Sequence, residues 1–238
     1  MKQEEIENMT RLFDGAWAED IVAYVMGTYG DRMLLASSIS IEDQVLTHMM
    51  LSRSPSARIM TLDTGRLPQE TYDAMQATME KYGMRFEVYA PAADDLERFL
   101  REHGPNCFYQ SVELRKQCCT IRKVLPLSRA LTTVEAWITG LRQEQSPETR
   151  GRLAPVEWDE AHGILKVNPL SRWTTDDVWR YIKKNAIPYS LLFDRGHTSI
   201  GCAPCTRAVT PGEGIRAGRW WWENPEHKEC GLHLRSDI

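Results

Sequence analysis

Three short apolar segments, separated by helical patterns, constrain the fold of this sequence more than any other feature. Residues 32–39 and 57–62 have the composition of buried strands, and residues 84–89 form a third such segment. An amphipathic run follows the first segment, and a second helical pattern begins at Pro68 and ends at Gly83. Strand–helix–strand–helix–strand predicts a parallel sheet with right-handed crossovers. We therefore expect an α/β fold, a mostly parallel sheet flanked by helices.

Further segments extend this pattern in both directions. Residues 3–26 predict one or two helices ahead of the sheet, residues 134–139 predict another strand, and residues 164–167 predict an edge strand. Thr174 is expected to cap a helix together with Asp177, three residues later.

Regular periodicity fades beyond about residue 189, where the sequence becomes rich in glycine and cysteine. A length of 238 residues suits one sizeable domain with an appendage rather than two full cores. We predict an α/β domain over residues 1–200 and an irregular, cysteine-containing C-terminal tail over residues 201–238.

Loops of small and polar residues follow the predicted strands. Residues 37–40 precede a helix, residues 63–66 follow the second strand, and residues 140–142 bring glycine and a cation to the end of another. Ligands of open parallel sheets bind at the carboxyl ends of the strands, where free N–H groups and helix dipoles favour anions. An ordinary serine N-cap and an ordinary turn explain the first two loops equally well. The loops together predict an anion site and leave those alternatives open.

The overall charge limits what such a site can serve. A net charge of −4 and a pI near 5.9 argue against broad binding to nucleic acid or a membrane surface, so any anion site is local. The sequence lacks an apolar run of membrane-spanning length, and its acidic start resembles neither a secretory signal nor a transit peptide. We expect a cytoplasmic protein whose six cysteines serve metal or catalytic roles rather than disulfides.

Four cysteines have the spacing of ligands. Cys202 and Cys205 form a Cys-x-x-Cys pair, and Cys118 and Cys119 are adjacent. Four thiolates suit an iron–sulfur cluster or zinc. Adjacent cysteines reach the separate metal corners of a cluster more easily than one tetrahedral ion, so we favour the cluster. Buried unligated thiols and a redox dithiol remain alternatives.

A lone cysteine near the C-terminus has the surroundings of a nucleophile. Cys230 lies among His227, Lys228 and His233, and nearby cations favour the reactive thiolate. An incidental surface thiol is the competing interpretation. Arg216 and Arg219 are three residues apart and could grip a doubly charged group. The tryptophans at 220–222 are interpreted as packing residues, and Cys107 as incidental.

These features together resemble the assimilatory adenylyl-sulfate reductases, the cluster-bearing branch of the phosphoadenylyl/adenylyl-sulfate reductase family. The resemblance covers most of the chain from about Leu34 onward. The matching stretches are Glu42-Asp43, Leu62-Asp-Thr-Gly-Arg-Leu67, Cys118-Cys119-x-Ile-Arg-Lys123, Thr139-Gly-x-Arg142, Gln145-Ser-Pro-x-Thr-Arg150, Ile200-Gly-Cys-x-Pro-Cys-Thr-Arg207, Gly218-Arg-Trp-Trp-Trp-Glu223 and His227-Lys-Glu-Cys-Gly-Leu-His233.

The resemblance implies an adenine-nucleotide α-hydrolase-like fold and an assimilatory enzyme that reduces adenosine 5′-phosphosulfate to sulfite and AMP. It implies attack by the Cys230 thiolate on the sulfate sulfur, an enzyme S-sulfocysteine, and its reduction by thioredoxin or a similar dithiol. The implied ligands of a [4Fe–4S] cluster are Cys118, Cys119, Cys202 and Cys205. The residues implied to bind the substrate are Lys123, Arg142, Arg150, Arg216, Arg219 and His233 around the phosphosulfate, and Ser37, Leu62 and Gly140 along the adenosine and ribose.

The sequence also departs from the family pattern. Ile39-Ser40-Ile41 stands where the family usually has a glycine, and Leu141 and Gln143 replace a commoner Gln and Arg. Selectivity for the substrate without a 3′-phosphate, against a phosphoadenylyl-sulfate or dual reductase, therefore rests on analogy, and homo-oligomerisation is left open. The rival functions are a zinc-stapled RNA-binding module and an ATP-pyrophosphatase-type tRNA sulfur-transfer enzyme.

Overall fold

The structure is a computed structural model that describes residues 3–145 and 153–224. Its helices are α1 Gln3–Phe13, α2 Ala18–Tyr29, α3 Ile41–Leu51, α4 Gln69–Tyr82, α5 Ala93–His103, α6 Val112–Cys119, α7 Leu125–Leu131 and α8 Thr175–Asn185. Its strands are β1 Met33–Ser37, β2 Ile59–Leu62, β3 Glu87–Tyr89, β4 Ala136–Ile138, β5 Val156–Asp159 and β6 Ile164–Val167. The predicted α/β class and the two helices ahead of the sheet are confirmed.

One six-stranded sheet runs in the order β3-β2-β1-β4-β6-β5. All neighbouring strands are parallel except β5 and β6, which pair antiparallel. The prediction of residues 164–167 as an edge strand is wrong, because β6 lies between β4 and β5. The edge strand on this side of the sheet is β5, whose residues Val-Glu-Trp-Asp are too polar to stand out as a strand.

The two faces of the sheet bury separate apolar layers. A row of paired residues crosses one face, where α2, α3 and α8 pack: Ile59, Leu35, Ile138 and Val167. The alternate positions Leu34, Met60 and Trp137 face a second layer formed with α7. Because successive strand residues point to opposite faces, near-continuous apolar segments are what a sheet covered on both sides requires.

Helix termini follow the local sequence signals. Gly83 ends α4 with φ +62°, a left-handed conformation that glycine adopts without strain. Thr174 and Asp177 form the predicted capping box at the start of α8. None of the helices in the described part of the chain has the length and apolar character needed to cross a membrane.

The chain builds the sheet outward from β1, first to β2 and β3 on one side and then to β4 on the other. The order of the strands therefore reverses between β1 and β4. In open α/β sheets this switch point leaves a crevice beyond the carboxyl ends of the strands, where ligands bind.

Candidate active site

A cavity of about 210 Å³ lies at the carboxyl edge of the sheet. Loops after β1, β2 and β4 line it, together with residues 198–201 and 215–220 of the irregular C-terminal part. Among its lining residues are six of the predicted substrate-binding residues: Ser37, Leu62, Lys123, Gly140, Arg216 and Arg219. The structure thus brings together residues that are up to 182 positions apart in the sequence.

The loop between β1 and α3 is closed by a buried carboxylate. The backbone N–H and the hydroxyl of Ser38 each donate to Asp43 Oδ2 at 2.7 Å, and Asp43 N donates to Ser40 Oγ at 3.4 Å. Burial raises the pKa of Asp43 to about 6, against the opposing effect of the Ser38 hydrogen bonds. Ser40 is thus an ordinary N-cap in the place where the family usually has glycine.

The strained backbone of this loop belongs to Ile39, the residue before Ser40. Ile39 has φ +60°, a left-handed conformation that β-branched residues rarely adopt, and its side chain is buried in the core. The left-handed residue of this loop is therefore Ile39, whereas Ser40 has an extended backbone with φ −70°.

Gly140 permits the close approach of the β4 loop to the start of α3. A Cβ atom at Gly140 would clash with Asp43 Oδ1 and would lie 2.8 Å from Glu42 Cβ. Only glycine fits between β4 and α3 at this spacing, so the wall of the cavity depends on it.

Arg142 is placed differently from the other predicted cations. Its guanidinium is buried and donates from Nε and Nη2 to Glu42 Oε1, at 3.0 and 2.8 Å. The remaining donors reach the Glu144 carboxylate, the Trp173 carbonyl and the Thr175 hydroxyl. A guanidinium has five N–H donors, and all five are engaged here. Arg142 is absent from the residues that line the described cavity, and its observed contact is an ion pair with Glu42. Its predicted contact with the phosphosulfate stays a prediction.

The loop after β2 links the cavity to the cysteines. Asp63 Oδ1 accepts hydrogen bonds from Gly65 N at 2.8 Å and from the Tyr72 hydroxyl at 2.7 Å. The Thr64 carbonyl accepts from Arg122 at 2.6 Å, and the Cys202 thiol contacts the Thr64 hydroxyl at 3.3 Å. The loop is therefore fixed by groups from both sides of the site.

The four predicted ligand cysteines line a second, smaller cavity of about 10 Å³. Cys118 and Cys119 end α6, where a π-helical turn over Thr120–Val124 follows, and Cys202 and Cys205 flank a short 3₁₀ turn. Across residues 3–145 and 153–224, no three His, Cys, Asp or Glu side chains are arranged to hold a single metal ion. The thiols share one cavity without converging on one point.

Cations surround these thiols. Burial alone would raise the pKa of Cys202, but Lys123, the Thr64 hydroxyl, Arg219 and Arg122 bring it below the ordinary value. Burial, followed by the neighbouring Cys202 charge, raises the pKa of Cys205 to about 12. The nearby cations therefore favour the thiolate form of Cys202 over that of Cys205.

Lys123 and Trp220 line both cavities. The Trp220 ring is buried and faces three guanidinium groups, with ring centroids 4.7 Å from Arg219, 4.8 Å from Arg115 and 6.0 Å from Arg216. The interpretation of the tryptophans as packing residues is incomplete for Trp220, which also forms the wall between the cavities.

Other residues of the site escaped sequence reasoning. Thr64 and Arg122 lie inside the quoted motifs, but only folding shows that they contact the cysteine side of the site. Arg115 and Glu223 form a buried pair across 108 residues, which sequence spacing could not reveal. The predicted site residues Arg150, Cys230 and His233 lie outside the described residues.

Comparison with known proteins agrees with this architecture. A model of the phosphoadenosine phosphosulfate reductase domain matches residues 32–208. An adenosine 5′-phosphosulfate reductase from Burkholderia cepacia is 51% identical over 215 residues, covering 90% of this chain and 86% of the relative.

Solved structures show the same fold. A phosphoadenylyl-sulfate reductase from Candida auris, in complex with phosphate, superposes with a TM-score of 0.75 at 26% identity over 88% of this chain and 98% of its own. An FMN adenylyltransferase from Candida glabrata shares the fold, with a TM-score of 0.55 at 13% identity over 99% of this chain and 82% of its own. The predicted adenine-nucleotide α-hydrolase-like fold is thereby confirmed.

Proposed function

Because the chain belongs to the phosphoadenosine phosphosulfate reductase domain family, we propose that it reduces adenosine 5′-phosphosulfate to sulfite and AMP in assimilatory sulfate reduction. The observation that carries the proposal is the placement of Lys123, Arg216 and Arg219 around a cavity at the strand ends, directly beside four thiols. An acidic protein needs such a local group of cations to bind an anionic substrate and to stabilise charge in the transition state.

The proposed reaction has two covalent steps. The Cys230 thiolate forms a bond to the sulfate sulfur while the bond from that sulfur to the bridging oxygen breaks, and AMP leaves with the electron pair. One thiol of a dithiol reductant then attacks Cys230 Sγ, and sulfite leaves with the electrons of the S–S bond. The second thiol closes the reductant disulfide and regenerates the Cys230 thiolate. Thioredoxin or a similar dithiol fills this role.

The residues divide between the two ends of the substrate. Lys123, Arg216 and Arg219 would hold the phosphosulfate, and Ser37, Leu62 and Gly140 would lie along the adenosine and ribose, in keeping with their positions around the cavity. The roles of Arg150, Cys230 and His233 rest on the sequence motifs alone. The functional division into a nucleotide-binding domain, residues 1–200, and a cysteine-bearing tail, residues 201–238, belongs to the same proposal.

We propose that Cys118, Cys119, Cys202 and Cys205 hold a [4Fe–4S] cluster. Four soft donors around one cavity, with cations close by, fit the donor chemistry and the negative charge of such a cluster. The residues therefore match a cluster in donor chemistry and in charge, whereas the cavity between the cysteines has a volume of only about 10 Å³. When bound, the cluster would supply an electrostatic field close to Lys123. A cytoplasmic location, where thiols stay reduced, suits both the thiol ligands and the dithiol partner.

The assay that tests the function is anaerobic turnover of the purified protein with each nucleotide, with and without thioredoxin. We expect sulfite from adenosine 5′-phosphosulfate, dependent on thioredoxin. Cys230→Ser should abolish sulfite release and leave nucleotide binding intact. Sulfite from the 3′-phosphorylated nucleotide alone would reassign the substrate, and full turnover by Cys230→Ser would remove the nucleophile. A colourless protein with one zinc, in place of about four irons, would refute the cluster.

A further inference from the structure

Glu223 and Arg115 form a buried ion pair at the back of the cysteine cavity. Arg115 Nε donates to Glu223 Oε1 at 2.9 Å and Nη2 donates to Glu223 Oε2 at 2.7 Å, so the contact is a two-pronged one. The side chains are 0% and 3% exposed. A pair so fully desolvated is costly to form, and it is therefore weak evidence for stability by itself. The position of the ion pair beside the cysteines suggests a role other than stability.

Arg115 belongs to the helix that carries two of the cysteines. It precedes Cys119 by four residues on α6, so the two side chains lie on one face of the helix. The guanidinium is hydrogen-bonded to the Cys119 side chain, and it lies 4.8 Å from the Trp220 ring centroid. Arg115 thus contacts a proposed cluster ligand, the wall between the cavities and Glu223 at once.

Glu223 belongs to the segment that leads to the nucleophile. It follows the three tryptophans and precedes Cys230 by seven residues in the sequence. Its backbone N–H donates to the Trp220 carbonyl at 2.9 Å, which closes a turn over the tryptophans. The ion pair therefore fastens the start of the last stretch of chain to the helix of the cysteines.

We propose that Glu223 is a positioning residue: it holds Arg115 against Cys119 and Trp220, and so fixes both a cluster ligand and the point from which the chain reaches Cys230. This inference rests on the proposed function. Replacing a residue that orients a metal ligand through a hydrogen bond commonly lowers metal affinity or activity about 10- to 100-fold.

The test uses Glu223→Gln in the full-length, anaerobically purified protein. The first readout is single-turnover transfer of the sulfuryl group to Cys230 without reductant, followed by mass spectrometry. The second is the visible circular dichroism of the cluster. We expect transfer to slow by about 10- to 100-fold and the cluster spectrum to change. Glu213→Gln is the matched control, because Glu213 pairs with Arg207 on the exposed side of the same C-terminal part.

A second variant separates positioning from stability. Glu223→Gln alone removes the carboxylate charge that faces the buried Arg115 guanidinium, which destabilises the fold. The double variant Arg115→Met/Glu223→Gln removes both charges and should recover thermal stability, while transfer stays slow and the spectrum stays altered. Recovery of stability and transfer together would overturn the inference, as would wild-type transfer and spectrum in Glu223→Gln. Failure of the wild-type protein to hold iron or to accept the sulfuryl group would instead overturn the proposed function.

Discussion

At the scale of single residues, Arg219 shows how a buried cation is held in the wall of the proposed binding site. It lines the larger cavity, donates to the Ile200 carbonyl at 3.2 Å and faces the Trp220 ring at 4.7 Å. Gly201 makes room for it, because a Cβ atom there would lie 2.5 Å from Arg219 Cζ. A guanidinium held this rigidly loses little freedom when it binds an anion.

Replacing this cation should weaken nucleotide binding. We expect Arg219→Ala to reduce the affinity for AMP and adenosine 5′-phosphosulfate by about 1.5–3 kcal/mol, the range for a charge-assisted hydrogen bond. Isothermal titration calorimetry measures the change. Arg207→Ala is the control, because Arg207 pairs with Glu213 at the surface. Unchanged affinity in Arg219→Ala would remove this residue from the binding site.

Arg142 shows the limit of sequence reasoning at this scale. Arg142 and Arg219 both lie in glycine-containing motifs, Thr139-Gly-x-Arg142 and Gly218-Arg219, and the sequence predicts the same phosphosulfate-binding role for both. The carboxylate that engages Arg142 belongs to Glu42, 100 residues earlier, and only the folded chain brings the two together. Residue type predicted a cation at the site, but not that Arg142 forms a buried ion pair with Glu42.

At the scale of elements, the β1–α3 loop combines strain with burial. Ile39 is 2% exposed and packs in the core, yet its φ of +60° costs about 1–2 kcal/mol for a residue with a Cβ atom. Burial of the isoleucine side chain offsets this cost, since full burial of such a side chain contributes about 1.5–3 kcal/mol.

A pair of truncations separates the two effects. Both Ile39→Ala and Ile39→Gly remove the buried side chain and destabilise the protein, but only glycine also relieves the backbone. We expect Ile39→Gly to be more stable than Ile39→Ala by about 1 kcal/mol, measured by urea unfolding. At Val45, buried in the middle of α3, the order should reverse by about 0.5–1 kcal/mol. Alanine as the better residue at both positions would contradict the strained conformation.

Strands were harder to predict than helices for a physical reason. The helices α3, α4 and α8 follow apolar periodicity within their own residues and caps or stops directly beside them. The sequence predicts β6 as an edge strand because its neighbour β5 is short and polar and is not recognised as a strand. The antiparallel pairing with β5 is what makes β6 internal, and the residues of β6 alone do not indicate it. The local pattern predicted that a strand exists, but not its neighbours.

At the scale of the whole molecule, the buried carboxylate of Asp43 makes stability depend on pH. Its folded pKa of about 6 lies above the ordinary value of 3.8, so the folded state binds more protons than the unfolded state between these values. The contribution to stability is therefore present at low pH and is lost as pH rises through about 6.

The expected size follows from the shift. Relative to Asp43→Asn, the unfolding free energy of the wild type should fall by about 1–1.5 kcal/mol between pH 5 and pH 8, as urea titrations would show. Asp177 is the control, since the Thr174 hydrogen bonds lower its pKa and place its titration below this window. An unchanged difference between wild type and Asp43→Asn would show that Asp43 titrates normally.

The global arrangement was the most predictable part of the molecule. Alternation of strands and helices predicted the parallel sheet, and the sheet predicted that the loops after β1, β2 and β4 would meet at one edge. The sequence could not predict that residues 198–220 would close this edge, because irregular segments have no periodicity to read.

Lys123 and Trp220 belong to the walls of both cavities, so a displacement of either side chain changes the shape of both cavities. Thermodynamic linkage makes any coupling between the two cavities reciprocal: the factor by which a ligand in the larger cavity changes the affinity of the smaller cavity for its ligand equals the factor of the reverse effect. The Trp220 indole ring and the Lys123 ammonium group are the side chains through which binding in the two cavities would be coupled.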